Sequence, residues 1–254
     1  MPARPFVLAE TNWKTVKDTR YEVAILPWGA TEPHNFHLPY GTDVYETRHI
    51  SEMAAGYAWN KGAKVVTLPT VPFGVNTGQL DLRLAINMNP STQFAVLSDV
   101  ASAISGQGIR KLVILNGHGG NDFKQMIREL QPKFDLFVCT VNWWTCIKAT
   151  EIFDEPGDHA GEMETSLMMA LEPDLPLPLK QAGPGKGRKF RIPGLRDGWA
   201  WAPRQWTKVT DDTGTGNPYA ATVEKGEKFV TAVTERIGGF LVDLANADLN
   251  DMYE

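Results

Sequence analysis

Residues 21–43 read YEVAILPWGATEPHNFHLPYGTD, and the fold is decided here. The first nine form an apolar run ended by Pro27 and Gly29, the pattern of a buried strand running into a turn. Thr42 then stands as an N-cap at the start of a helical pattern over 42–58. A buried strand passing through a polar loop into a helix is the repeating unit of a parallel sheet. The unit recurs along the chain. AKVVTLPTVPFG (63–74) predicts a strand, and the segment from Ser91 to Gly106 predicts a helix capped by Ser91. RKLVILNGHGGND (110–122) predicts a strand entering a Gly-rich turn, with a helix over 121–131. FDLFVCTVNWW (134–144) predicts a further strand, 161–173 a helix ended at Pro173, and 219–246 a long C-terminal helix. The expected class is α/β, a three-layer α/β/α sandwich around a mostly parallel sheet, in one domain spanning 1–254. Residues 174–218 break the rhythm with six prolines, many glycines and Trp199, Trp201 and Trp206. They predict a long irregular excursion, and ordered loops of that length are often functional.

Composition narrows the function. The net charge of −5 offers no global positive field to nucleic acid or an anionic membrane. Apolar runs such as LVIL at 112–115 reach about five residues at most, against the roughly 20 of a spanning helix. MPARPFVLAETNW at the start lacks the apolar core of a secretory signal, and Cys139 and Cys146 read as reduced thiols. The expectation is a cytoplasmic globular protein.

The chemistry lies in the histidines. Four of the five fall in three polar clusters: His34 and His37 in the first loop, His118 in NGHGGN, and His159 in DHAGEMETS. Each cluster follows a predicted strand, where open α/β sheets bind ligands. Neutral imidazole with carboxylate is a ligand set for Zn²⁺ or Mn²⁺. Glu32 and His34, two apart on an extended segment, point to one side, and Asp43 returns after the Pro-Tyr-Gly turn. His118 could add a fourth ligand, and Glu162 or Glu164 a fifth. A carboxylate bridging two ions would build a centre that polarises a carbonyl and activates water. His159 would then carry the proton to a leaving nitrogen. His37 is expected beside the ligands, orienting one of them.

GATEPHNFHLPYGTD, NGHGGN and DHAGEMETS, in that order, resemble the creatininase (creatinine amidohydrolase) family, and GTGNPYAATVEKGEK (214–228) extends the likeness over nearly the whole chain. The resemblance implies an α/β/α fold, two Zn²⁺ or Mn²⁺ ions per chain, hydrolysis of a small-molecule amide, and a homo-oligomer, often a hexamer. It implies Glu32, His34, Asp43 and His118 as metal ligands with Asp43 bridging, His159 and Glu164 as catalytic, and Glu164 also on the metal. It implies Trp144 against the substrate. The family's glutamate two residues after the NGH histidine is replaced by Gly120, so Glu164 or Glu162 would supply that carboxylate. Glu155 stands where a second substrate tryptophan would be expected, which argues against creatinine itself.

Asn116 and Asn121 bracket the Gly turn, as turn-fixing groups or substrate contacts. KGRKFR (186–191) reads either as a solvated loop face or as a clamp for phosphate or carboxylate. Two other functions are consistent with these motifs: a non-catalytic metal-dependent ligand binder on the same fold, and a peptidase.

Overall fold

The computed structural model describes residues 3–254. Strands β1 (Val23–Trp28), β2 (Val65–Thr67), β3 (Lys111–Asn116) and β4 (Phe137–Asn142) form a parallel sheet in the order β2-β1-β3-β4. The helices are α1 (Trp13–Lys17), α2 (Thr42–Asn60), α3 (Pro90–Gly106), α4 (Lys124–Leu130), α5 (Glu162–Leu171), α6 (Pro193–Arg196), α7 (Trp206–Val209) and α8 (Val223–Asn246). No helix among the described residues is long and apolar enough to cross a membrane.

All six residues of β1, and all six of β3, are buried, as a sheet covered on both faces requires. Alternation then sorts them into two cores. Val23, Ile25, Val113 and Leu115 pack with Ile50 and Ala54 of α2, Leu167 of α5 and Phe229, Val233 and Ile237 of α8. Ala24, Leu26, Trp28, Leu112 and Ile114 face the other way, onto Leu97 and Ala101 of α3 and Met126 and Leu130 of α4. These are the three expected layers. Each large apolar side chain so buried contributes roughly 1.5–3 kcal/mol. Gly226 lets α8 close on α5, because a Cβ there would lie 2.0 Å from the Ser166 carbonyl oxygen.

The register fixes the site. Trp28 pairs with Asn116, and Asn116 with Asn142, so the carboxyl ends of β1, β3 and β4 are level and their loops emerge side by side.

Several boundaries differ from expectation. Thr42 is the first residue of α2 rather than its cap; Gly41 holds the cap position and the Thr42 hydroxyl donates to the Pro39 carbonyl. Helix α3 starts at Pro90 behind Asn89, not at Ser91, since proline suits a first turn whose N–H groups have no partner. Only Val65–Thr67 of the 63–74 stretch is strand, because Pro69 and Pro72 interrupt the ladder. Helix α8 starts at Val223, where the Thr222 hydroxyl accepts from the Lys225 N–H. The 174–218 excursion does form, with α6 and α7 within it. Cys139 and Cys146 are free thiols.

Candidate metal centre

Three carboxylates and three imidazoles converge beyond the ends of β1 and β3. The loop after β1 folds back because the Glu32 N–H donates to the Tyr40 carbonyl (3.1 Å). That closure brings Glu32 and His34 beside Asp43 in the first turn of α2, a helix end that favours negative charge. His118 arrives from the turn after β3, and His159 and Glu164 from the entry to α5. Donor atoms of Glu32, Asp43 and His118 lie within 4.8 Å of one another, as do those of His34, Asp43 and Glu164, and of Glu32, His34 and His159.

Backbone carbonyls set the imidazole tautomers. His34 Nδ1 donates to the Glu32 carbonyl (3.0 Å), which leaves Nε2 facing Asp43 Oδ1 at 2.9 Å. His118 Nε2 donates to the Val75 carbonyl (3.1 Å), leaving Nδ1 2.9 Å from Glu32 Oε1 and 3.0 Å from Asp43 Oδ2. His159 Nε2 donates to the Pro33 carbonyl (2.9 Å), leaving Nδ1 3.9 Å from Glu32 Oε1. Each ring is held by one nitrogen and offers the other, as metal-binding histidines do. The two oxygens of Asp43 face different histidines in different triads, the arrangement a bridging carboxylate needs.

The electrostatics call for positive charge. Burial opposes charge on His34, yet Asp43 outweighs it and pushes the imidazole up to about 10. His118 is raised well above the usual range, burial being overcome by Glu32 and Asp43. Asp43 itself is lowered, with His34 and His118 overriding burial. Each 2.9–3.0 Å contact between imidazole nitrogen and carboxylate oxygen needs a proton or a metal cation between the two atoms. Buried imidazole and carboxylate donors gathered within 4.8 Å of one another suit Zn²⁺ or Mn²⁺, so the donor set fits.

The remaining expected residues divide. Glu164 joins the cluster, its carboxyl raised by burial against the pull of His34 and His159, and its Oε2 accepts from the Ala160 N–H. Glu162 does not: its oxygens are taken by Lys225, which ties α5 to α8, and by the N–H of Glu155 in the loop before α5 (2.8 Å). His37 bonds the hydroxyl of Thr165, next in sequence to Glu164 (2.9 Å), and burial together with His34 lowers its pKa to about 4. The side chains of Asn116 and Asn121 bond within and beside the Gly turn. Asn116 donates to the His118 carbonyl and to Asn142, and accepts from the His118 N–H and Asn121. Asn121 accepts from the Val75 N–H and Gln93. Trp144 lines the cavity over the cluster. Gly120 has no room for a ligand-bearing side chain, because a Cβ there would stand 2.3 Å from the Val75 carbonyl oxygen and 2.4 Å from His118 Nε2.

Other participants carry no local signal. Gln79 donates to Glu32 Oε2 from a 3₁₀ turn 47 residues away. Glu46, one turn along α2 from Asp43, is fully buried with both oxygens unpartnered, and burial with Glu164 and Asp43 raises it well above the carboxylate range. Ala160 sits at φ 51°, a left-handed value that is costly for alanine, between His159 and the helix that carries Glu164. The Trp-rich excursion roofs the site. Trp206 packs edge-on against His159 at 5.2 Å, and Arg204 lies 4.5 Å over Trp206. Trp199 and Trp201 are 81% and 85% exposed, and Trp201 lies on the rim of the cavity. That cavity encloses about 1170 Å³ with Glu32, Asp43, His118, His159 and Glu164 in its wall.

Comparison with known proteins finds the same fold. A structure from Bacteroides fragilis, solved as a candidate creatinine amidohydrolase, superposes with a TM-score of 0.92 at 43% identity over 98% of this chain and 99% of that one. A manganese creatininase shares the fold at TM-score 0.75 and a zinc form at 0.77, each at 21% identity over 96% of this chain and 100% of theirs. Creatinine amidohydrolase of Pseudomonas putida is 25% identical over 60% of this chain and 65% of its own length, so the match spans just under two thirds of that enzyme. A mycofactocin precursor peptide peptidase of Mycobacterium ulcerans is 24% identical over 83% of this chain and 81% of its own. The family model described as creatinine amidohydrolase matches residues 9–241, and the chain therefore belongs to the creatininase family of hydrolases.

Proposed function

We propose that this chain is a metal-dependent amidohydrolase that cleaves a C–N bond of a small cyclic amide or formamide. Glu32, Asp43 and His118 would hold one Zn²⁺ or Mn²⁺ ion, and His34, Asp43 and Glu164 a second. The observation that carries the reading is Asp43, whose two oxygens face His34 and His118 at 2.9 and 3.0 Å. When bound, the ions supply Lewis acidity for the carbonyl and lower the pKa of a water.

The chain's own residues supply the rest. Water adds to the amide carbon, the C–N bond breaks, and the nitrogen leaves with a proton. His159 is placed to move that proton: its Nε2 is tied to Pro33, so Nδ1 is the free atom, on the cavity wall beside Glu32. Trp206, packed on His159, limits water around it, and Trp206 and Trp144 supply apolar surface to a small planar substrate.

Metal analysis with a turnover panel of cyclic amides, formamides and short peptides tests this. The expected result is two ions per chain, loss of both in Asp43→Ala, and retained metal without turnover in His159→Ala. Unchanged stoichiometry in Asp43→Ala removes the bridge from the mechanism. A cavity of about 1170 Å³ is roomy for a single small ring, which favours peptide cleavage as the second reading. Turnover confined to short peptides selects it.

A further inference from the structure

A second cavity, of about 630 Å³, adjoins the metal chamber. Asp158 and Arg204 line both spaces, so their ion pair stands at the junction. The far wall is the loop Pro184–Lys189, the basic run that the metal chemistry leaves unused. This loop is held in a frame. Gly185 adopts φ +62°, and a Cβ there would lie 1.8 Å from the Gly216 carbonyl oxygen. Its N–H donates to Asp212 Oδ2 (2.8 Å), and the buried Asp212 also accepts from the Gly214 N–H (2.9 Å) and the Thr210 hydroxyl (2.8 Å). The Arg188 N–H is fixed to the Val209 carbonyl (2.7 Å).

The frame presents charge and open donors. Lys186 and Lys189 have no acid within ion-pair distance among the described residues, whereas Arg188 is paired with Asp211. The backbone N–H groups of Lys186 and Gly187 donate to nothing within the described residues. Four cations against two acids line this space in a chain whose net charge is −5. Fixed backbone N–H groups beside unpaired lysines, with a guanidinium at the entrance, form an anion-binding concavity.

We propose that this groove holds an anionic group of the substrate, a phosphate monoester or a carboxylate, while the amide of the same molecule lies over the metal cluster. The proposal rests on the amidohydrolase reading for the second half of that placement. Arg204 is the residue that meets both parts, exchanging Asp158 for the ligand's oxygens as the anion enters.

The test is isothermal titration calorimetry on the zinc-loaded full chain with glycerol 3-phosphate, glycerate and glycerol. The Lys186→Ala/Lys189→Ala variant, changed only at exposed side chains, serves as the comparison. The expected result is that at least one anion binds where glycerol does not, with binding falling about tenfold or more in the double variant, the loss expected for charge-assisted hydrogen bonds. Binding of glycerol 3-phosphate alone assigns a phosphate ester, and of glycerate alone a carboxylate. No anion binding at millimolar concentration overturns the proposal, as does binding that is unchanged in the double variant, since the anion would then sit on the metal. None of these probes carries an amide, so a failure of amide turnover leaves this readout intact.

Discussion

Gly120→Ala is the sharpest perturbation of the centre, because it adds one methyl group and removes no ligand. The added carbon would stand 2.3 Å from the Val75 carbonyl oxygen and 2.4 Å from His118 Nε2. Non-bonded atoms prefer roughly 3.5 Å. Relief requires more than about 1 Å of movement, and it falls on the two atoms of the 3.1 Å bond that sets the His118 tautomer. Losing such a tether typically lowers metal affinity 10–100-fold. The site built from His34, Asp43 and Glu164 does not use that bond, so the loss should be confined to one ion. Overpacking should cost about 1–3 kcal/mol, a fall in Tm of roughly 2–12 °C at about 2–4 °C per kcal/mol for a chain of this size. Metal titration by competition with a chromophoric chelator should resolve one site at its original affinity and one weakened. Two sites at unchanged affinity would refute the tether argument. Gly120→Glu should behave no better, since the carboxylate has no space to reach the cluster.

Other outcomes follow from the same geometry. Asn116→Ala strands the buried His118 N–H and the Asn121 side-chain amide, while the His118 carbonyl keeps the Asn121 N–H, and should destabilise the protein by about 1–3 kcal/mol for each stranded group, lowering kcat through the metal site; a change confined to KM would restore Asn116 as a substrate contact. Trp206→Ala should leave metal content intact and reduce turnover, because it removes the packing that orients His159; unchanged turnover discards that role. Burial first, then His34, holds His37 down to about 4, so the unfolded chain binds a proton more readily than the folded one between about pH 6.5 and 4. Stability should therefore fall with pH across that window. In urea unfolding at pH 7 and 4.5, His37→Gln should lose less stability than wild type; an equal loss argues that His37 is not buried neutral. Chelation should lower Tm, and adding back Zn²⁺ or Mn²⁺ should raise it with concentration, the gain in stability being about 2.7 kcal/mol at a hundredfold excess over Kd; a Tm indifferent to metal contradicts the donor-set reading.

The amino-acid sequence by itself determined the layers and the place of the site. Strand and helix patterns are local, so YEVAILPWG and RKLVILNG announce β1 and β3 from the spacing of their own residues. Polar clusters directly after them must then gather at one edge of a parallel sheet. The ligand-type residues were legible for the same reason, since Glu32, His34, Asp43, His118 and His159 sit within or beside those loops. Only the tertiary structure chose between Glu162 and Glu164. Two residues apart on a helix lie on opposite sides, and packing of α5 on α8 gives Glu162 to Lys225 and leaves Glu164 to the cluster. The tethers were likewise beyond local reading: Pro33 and Val75 act through backbone carbonyls that every residue possesses, and Gln79 and Trp206 reach the site across 47 residues or more. Asn116 and Asn121 carry side chains suited to substrate and turn alike, and only the fold shows the turn hydrogen bonds they make. Chemistry-bearing side chains are visible one by one in a sequence, whereas orientation depends on which distant backbone groups the fold brings within hydrogen-bonding distance.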